Sequence, residues 1–205
     1  DEIFSTARYH IQTEPVCQKR SGAALTTFPV SRKSRQTPGE IRRLLRIPTD
    51  GIMALVTMGG IPEEFKNLEE VQKNERFYLV VPGGHSDYLL KDHLVLLPHH
   101  SSFYHPDLIN ASDVVIGKAG YSTIAEIYHA GTPFGFISRS NFREAQPLRD
   151  FIRREMNGME ISEEAYLQNR WGKALPALLE IPRIKRTVPN GANQIAQFIR
   201  SLLES

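Results

Sequence analysis

The sequence predicts an α/β fold in which helices cover both faces of a parallel sheet. Short apolar runs recur from about residue 51, and each is followed by glycine or proline and then by a helical pattern. Continuous apolar runs are typical of strands buried on both faces, and strands that alternate with helices pair in parallel. The expected strands are Ile52–Val56, Phe77–Val81, Leu94–Leu97, Val114–Ile116 and Phe134–Ile137.

Helices are expected after most of these strands and at the end of the chain. The proposed crossover helices are Pro62–Gln72, Pro106–Asn110, Ser122–Ala130 and Pro147–Met156. Further on, Glu163–Ala174 is amphipathic, and Asn193–Leu203 carries an apolar stripe, with Asn190 as the expected N-cap. The second strand is expected to end at Pro82-Gly83-Gly84, because glycine and proline interrupt regular structure.

The first 50 residues show little periodicity. One short basic helix is expected at Ile41–Leu45, and Thr37-Pro38-Gly39-Glu40 provides its start. Within this region a basic stretch contains Arg32, Lys33, Arg35, Arg42, Arg43 and Arg46. We interpret them first as a solvated linker face, with binding of an acidic lipid or acceptor as the alternative.

Composition narrows the class of protein. The chain has 205 residues, of which 40% are hydrophobic and 23% are charged, which suits one domain with an appendage. The net charge of +2 argues against a nucleic-acid partner. Because Cys17 is the single cysteine, no internal disulfide can form, and a reducing compartment is expected.

The compartment and the extent of the protein are also expectations. No apolar run approaches the roughly 18 residues that cross a bilayer, so we expect a cytoplasmic protein without an integral membrane segment. The chain begins with Asp1, and no signal-like segment follows. We therefore expect it to be a piece of a longer protein.

The most informative segment is DVVIGKAGYSTIAEIYHAGTPF, residues 113–134, where a strand leads through glycines into a helix. Gly117 and Gly120 allow a sharp turn and a close approach of backbone to a ligand. The backbone amides expected at the helix start belong to Gly120, Tyr121, Ser122 and Thr123. Unpaired N–H groups and the helix dipole favour an anion at such a place, typically the phosphates of a nucleotide. The alternative is a tight turn without a ligand.

This segment, with LVTMGG at the first strand and the SRSNFREAQPL loop, resembles the C-terminal donor-binding domain of GT-B glycosyltransferases. The similarity is to the branch that adds N-acetylglucosamine to lipid I and to related predicted UDP-sugar transferases. It implies a Rossmann-like sheet, one half of a two-domain fold, over residues 32–205. Residues 1–31 are then a remnant of the N-terminal domain or a linker. The partners implied are a nucleotide sugar, with UDP-sugar favoured, and an N-terminal acceptor domain in the same or another chain.

Glu126 is the most specific site prediction. One turn into the helix, its carboxylate could accept hydrogen bonds from both ribose hydroxyls, as an acidic residue does in dinucleotide sites. The resemblance implies the same role. The competing interpretation is a capping box, in which Glu126 satisfies the backbone amide of Thr123.

The resemblance also implies that the loop Arg139–Gln146 contacts the sugar through Glu144 and Gln146. Many relatives have Asp/Glu and Gln adjacent, whereas Ala145 separates them here. Arg143 is a candidate for a phosphate or an acidic sugar, or it is an ordinary surface arginine.

Three further positions complete the predicted site. Gly59 and Gly60 follow the first strand and would bring backbone near the donor phosphates or near the acceptor across the cleft, unless they form a plain turn. By similarity, His99 lies at the edge of the base pocket. The histidine spacing matches no common zinc pattern, so we predict no metal, and no cofactor is expected.

The leading functional hypothesis is the donor-binding half of a hexosyltransferase, with transfer by inversion. In the family the general base comes from the N-terminal domain, so no catalytic residue is assigned in this chain. One alternative is a nucleotide-sugar hydrolase or epimerase of the same fold. Another is a non-catalytic module that senses a nucleotide sugar, for example one fused to a kinase.

Overall fold

A seven-stranded sheet organises the protein in the computed structural model, which describes residues 6–57, 76–138, 142–168 and 170–204. The strands are β1 (Ile11–Thr13), β2 (Leu25–Thr27), β3 (Ile52–Thr57), β4 (Phe77–His85), β5 (Leu89–Lys91), β6 (Leu94–Pro98), β7 (Val114–Lys118), β8 (Phe134–Ile137) and β9 (Met159–Ile161). The helices are α1 (Pro38–Leu44), α2 (His105–Ala111), α3 (Tyr121–Ala130), α4 (Ala145–Met156), α5 (Glu163–Leu167), α6 (Leu175–Leu179) and α7 (Gly191–Leu203). A 3-10 turn, Arg170–Ala174, precedes α6.

The strand order is β5-β6-β4-β3-β7-β8-β9, and β3 to β9 confirm the predicted α/β sheet. Neighbours pair in parallel except β5 and β6, which are antiparallel. From β3 the chain builds the sheet first toward β4 and β6, and then toward β7, β8 and β9 on the other side. Ligands of open α/β sheets bind at such a reversal, beyond the carboxyl ends of the strands. Here those ends are Thr57 of β3 and Lys118 of β7.

The sheet separates two apolar cores, because successive side chains of a strand face opposite sides. In β3, Met53 and Leu55 belong to the core that α1, α2, α3 and α4 cover. Ala54 and Val56 belong to the other core, which includes Trp171 and is covered by the short C-terminal helices. Burial on both faces explains why β3 reads as a continuous apolar run.

The five predicted strands are confirmed, but the second one does not end at its glycines. β4 continues through Pro82-Gly83-Gly84 to His85, and its register against β6 shifts between Pro82 and His85. Gly83 has a φ of 76°, so the glycines allow an irregularity within the strand. The strands β5 and β9, three residues each, were not predicted because so short a run carries no periodic signal.

The predicted helices differ from the structure mainly at their ends. The expected helix Glu163–Ala174 is divided into α5, which ends at Leu167, and the separate 3-10 turn. The expected helix Pro62–Gln72 lies outside the described residues. The expected helix Ile41–Leu45 begins earlier, at Pro38, where Thr37 and Glu40 form a capping box.

The described N-terminal residues pack against the last helix. β1 and β2 form a small parallel sheet. The Phe28 amide donates to Oε1 of Gln194 at 2.9 Å, and the Gly191 amide donates to the Pro29 carbonyl at 3.1 Å. Asn190 caps α7 as predicted, since its Oδ1 accepts from the Ala192 amide at 3.0 Å.

The described residues lack two features, a helix that could cross a membrane and a cluster that could bind a metal ion. None of their helices is both long enough and apolar enough to cross a membrane. They also contain no group of three or more His, Cys, Asp or Glu side chains that could hold a metal ion.

Candidate functional site

Two glycines with different roles lead from β7 into α3. A Cβ on Gly117 would lie 2.3 Å from the carbonyl oxygen of Thr57, so only glycine lets β3 and β7 pair this closely. Gly120 is the N-cap of α3, and the position of its missing Cβ is open, with no heavy atom within 4 Å. The turn therefore presents bare backbone at the reversal of the sheet.

The first turn of α3 has amides available for an anion. The N–H groups of Tyr121, Ser122 and Thr123 have no carbonyl partner one turn earlier, and α3 lacks a side-chain cap. The amide of Gly120 differs from the prediction, because it donates to the Lys118 carbonyl at 2.9 Å. Three amides rather than four are thus directed to the helix start, where the dipole favours negative charge.

Glu126 is buried beside this turn, with 2% of its side chain exposed. Its Oε1 accepts from Nε and Nη2 of Arg32 at 2.8 and 2.7 Å. Its Oε2 accepts from Nδ1 of His105 at 2.7 Å. A carboxylate only accepts, so Nδ1 of His105 carries a proton. Nε2 of His105 lies 3.0 Å from Oγ1 of Thr57 and links the cluster to the end of β3.

These contacts rule out one of the two interpretations of Glu126 that were left open. The capping-box interpretation is wrong, because α3 begins at Tyr121 and Glu126 lies more than one turn inside it. Its carboxylate turns inward to Arg32 and His105 instead of back to Thr123. Ribose binding stays a prediction.

The charge of Glu126 is favoured by its surroundings. Burial raises the pKa of this carboxyl, but the hydrogen bonds and charges of His105 and Arg32 outweigh burial and hold the pKa below 4.5. Glu126 is therefore ionised at neutral pH.

A pH titration of stability should detect this shift. Because the folded-state pKa is depressed, the contribution of Glu126 to stability is fully present above its ordinary value of 4.5. It is lost as the pH falls from 4.5 through the lower folded-state pKa. We expect wild type to exceed Glu126→Gln in the free energy of unfolding above pH 4.5, with the difference shrinking below it. Denaturant unfolding across this range measures the effect, and a difference that does not change with pH would contradict it.

A cavity of about 320 Å³ opens above the reversal, and we call it the switch-point cavity. Its lining includes Thr57, Pro82, Gly83, Pro98, His99, His105, Ser122, Thr123 and Glu126. Four residues predicted from the sequence are among these, namely His99, Ser122, Thr123 and Glu126. The cavity brings the start of α3, the buried carboxylate and the ends of β3, β4 and β6 together.

The other predicted site residues lie elsewhere. Gly120 and Tyr121 do not line the cavity, and the Tyr121 hydroxyl contacts Sγ of Cys17. Burial, followed by the hydrogen bond to Cys17, raises the pKa of Tyr121. Gly59 and Gly60 lie outside the described residues.

The predicted sugar-contact residues are also apart from the cavity. Glu144 is the N-cap of α4, and Arg143 is exposed. Gln146 donates from Nε2 to Oδ1 of Asp150 at 2.8 Å, one turn along the same helix. The loop contacts with a sugar stay a prediction.

Sequence reasoning missed the residues that surround Glu126 and hold the segment before α1. Asp107 is buried, and its Oδ1 accepts from the amides of Arg35 and Gln36 at 2.6 and 3.2 Å. Arg32 belongs to the basic stretch that was interpreted as solvated. The interpretation also fails for Arg42, which pairs with Asp113 at 2.6 Å. The available sequence signal for Asp107 was an acid directly after a proline at an expected helix start.

Comparison with known proteins places this geometry in a fold class. No family model matches the chain. L-arabinokinase from Arabidopsis thaliana is 30% identical over 200 residues, which are 97% of this chain but only 19% of that protein.

Solved structures give the fold. MurG from Acinetobacter baumannii matches with a TM-score of 0.63 and 15% identity, over 98% of this chain and 62% of MurG. The spinosyn forosaminyltransferase SpnP matches with a TM-score of 0.58 and 13% identity, over 100% of this chain and 53% of SpnP. The Streptomyces glycosyltransferase SsfS6, complexed with thymidine diphosphate, matches with a TM-score of 0.51 and 17% identity, over 94% of this chain and 52% of SsfS6.

The chain therefore has the fold of one Rossmann-like half of a GT-B glycosyltransferase. It spans about half to three fifths of each of these structures and about a fifth of L-arabinokinase.

Proposed function

We propose that this chain is the donor-binding half of a glycosyltransferase that transfers a hexosyl group from a UDP-sugar. The observation that carries the proposal is the first turn of α3, with its available amides, beside a buried ionised carboxylate at the reversal of the sheet. These are the groups that a nucleoside diphosphate needs, since the amides suit its phosphates and the carboxylate suits its ribose hydroxyls. The cavity volume of about 320 Å³ lies within the range of small-ligand pockets.

The chemistry assigned to this half is stabilisation of the leaving group. When the glycosidic bond to the donor breaks, negative charge develops on the departing nucleoside diphosphate. Amides fixed at the start of α3 and the helix dipole would stabilise that charge without a metal. The general base is expected from an N-terminal acceptor domain, in the same or another chain, so catalysis needs both halves.

A second candidate is a module that senses a nucleotide sugar next to a kinase. The similarity to L-arabinokinase, of which this chain spans 19%, favours it over the hydrolase and epimerase alternatives. Both leading candidates require donor binding, and turnover separates them. If the intact polypeptide forms a glycoside and releases UDP from a UDP-sugar, it is a transferase. Binding without turnover favours sensing.

Donor binding can be tested directly by calorimetry with nucleoside diphosphates. We expect UDP to bind, with GDP, ADP and dTDP at least several-fold weaker, because the base edge near His99 is proposed to read uracil. A thermal-shift assay should give the same order, since a ligand of the folded state raises its stability. Absence of binding by all four nucleotides would refute the proposed function.

A charge placed at the start of α3 tests the phosphate site. Ser122 is the second residue of α3, so Ser122→Asp puts a carboxylate beside the available amides. We expect stability to be maintained or slightly raised by the helix dipole, and UDP affinity to fall several-fold by repulsion. Ala192→Asp is the matched control, because Ala192 is the exposed second residue of α7. Equal UDP affinity in both variants would place the diphosphate elsewhere.

A further inference from the structure

The ion pair of Arg32 and Glu126 occupies the carboxylate that the proposed function needs. Arg32 directs Nε and Nη2 to the same oxygen, Oε1, at 2.8 and 2.7 Å. An oxygen that already accepts two charge-assisted hydrogen bonds has little capacity left for a ribose hydroxyl. A nucleotide can use Oε1 only after the guanidinium has moved.

The two partners of Glu126 differ in how readily they can leave. His105 is held through both ring nitrogens, between Glu126 and Thr57, and 25% of its side chain is exposed. The Arg32 side chain is 55% exposed and lies 5.2 Å from the centre of the Tyr104 ring. The more exposed side chain is the easier one to move, so Arg32 is the partner that ribose can displace.

The backbone that carries Arg32 is fixed on both sides. The Ser31 carbonyl accepts from Nδ2 of Asn190 at 2.8 Å. On the other side, the Arg35 amide donates to Asp107 at 2.6 Å. Because these anchors hold the main chain, release of Glu126 requires only a rotation of the Arg32 side chain.

A second cavity provides a place for the released guanidinium. It has a volume of about 380 Å³, and Arg32 and Glu126 line both this cavity and the switch-point cavity. Asn110 and Asn193 are among its lining residues, and a carboxamide oxygen can accept hydrogen bonds from a guanidinium. The ion pair thus lies between the switch-point cavity and this second cavity.

We propose that Arg32 is an internal competitor for the ribose site. Its guanidinium holds Glu126 in the nucleotide-free protein and turns toward the second cavity when a nucleoside diphosphate binds. This inference rests on the proposed function, because Glu126 must be the ribose acceptor. Arg32 then sets the affinity for nucleotide without contacting the phosphates.

Calorimetry with UDP on Arg32→Ala tests the competition. We expect UDP to bind several-fold more tightly to this variant than to wild type, because the variant has no guanidinium to displace. Arg35→Ala is the control, since Arg35 lies in the same segment and stacks on Tyr104 at 3.9 Å but does not line either cavity. It should bind UDP within about two-fold of wild type. Added methylguanidinium should weaken UDP binding to Arg32→Ala and leave wild type unaffected.

Three results would count against the competition. If wild type binds UDP and Arg32→Ala binds it equally or less tightly, Arg32 is not a competitor, although the proposed function stands. The same holds if methylguanidinium leaves UDP binding to Arg32→Ala unchanged. If neither protein binds any nucleoside diphosphate, the proposed function fails, and this inference fails with it.

Discussion

Gly131→Ala is expected to lower the free energy of unfolding by about 3 kcal/mol or more. Gly131 ends α3 in the left-handed conformation, with a φ of 68°. A Cβ there would lie 1.8 Å from the carbonyl oxygen of Ile184. The Ile184 amide donates to the Gly131 carbonyl at 2.9 Å, so the two backbones cannot separate without losing this bond. Backbone strain at position 131 and the collision with the main chain of Ile184 therefore both lower the stability of the variant.

Urea unfolding of Gly131→Ala and Gly39→Ala measures this effect. Gly39 lies in α1, and a Cβ there would meet no heavy atom within 4 Å. Alanine favours helix over glycine by up to about 1 kcal/mol, so Gly39→Ala should be neutral or stabilising. Equal stability of the two variants would mean that the C-terminal segment does not pack on Gly131 as described.

Glu126→Gln is expected to weaken UDP binding about ten-fold or more, since a lost hydrogen bond to a charged group costs about 1.5–3 kcal/mol. A carboxylate can accept from both ribose hydroxyls, whereas an amide has a single acceptor oxygen. Stability should fall as well, by about 1–3 kcal/mol, because Arg32 and His105 lose a charged partner. Isothermal calorimetry at a temperature where the variant is folded separates the two effects.

The control for Glu126→Gln is a second carboxylate that pairs with arginine far from the cavity. Asp113 directly precedes β7, at the amino end of that strand and so away from the carboxyl ends that border the cavity. It pairs with Arg42 at 2.6 Å. Asp113→Asn should lower stability and leave UDP affinity within about two-fold of wild type, because distant sites act independently. A ribose role for Glu126 is excluded if the two variants bind UDP equally well.

The fold was predictable because the buried strands are short, apolar and separated by turns. β3, β7 and β8 are buried on both faces, so continuous apolar runs with flanking glycine or proline locate them. The end of β4 was predicted wrongly at Gly83, because glycine permits both a strand end and an irregularity within a strand. β9 pairs only through three residues, and tertiary contact with β8 defines it more than sequence does.

Sequence could predict only the part of the site whose residues lie close together in one segment. The start of α3 and Glu126 lie within a few residues of each other, so a motif can indicate them. Arg32 precedes Glu126 by 94 positions, and its pairing depends on the path of an irregular segment. His105 was not assigned to the site, because the sequence does not reveal that its neighbour in space is a buried carboxylate. Side chains brought together by loops leave no periodic signal.

The hydrogen bonds between residues 28–31 and the start of α7 have a consequence for any shortened version of this protein. Phe28 bonds to Gln194, Pro29 bonds to Gly191, and Ser31 bonds to Asn190, directly before Arg32. Removing α7 together with its N-cap Asn190 would take away an anchor of Arg32 as well as a surface helix. Under the proposed competition, these bonds between the Pro29 segment and residues 190–194 would therefore influence how tightly Arg32 holds Glu126.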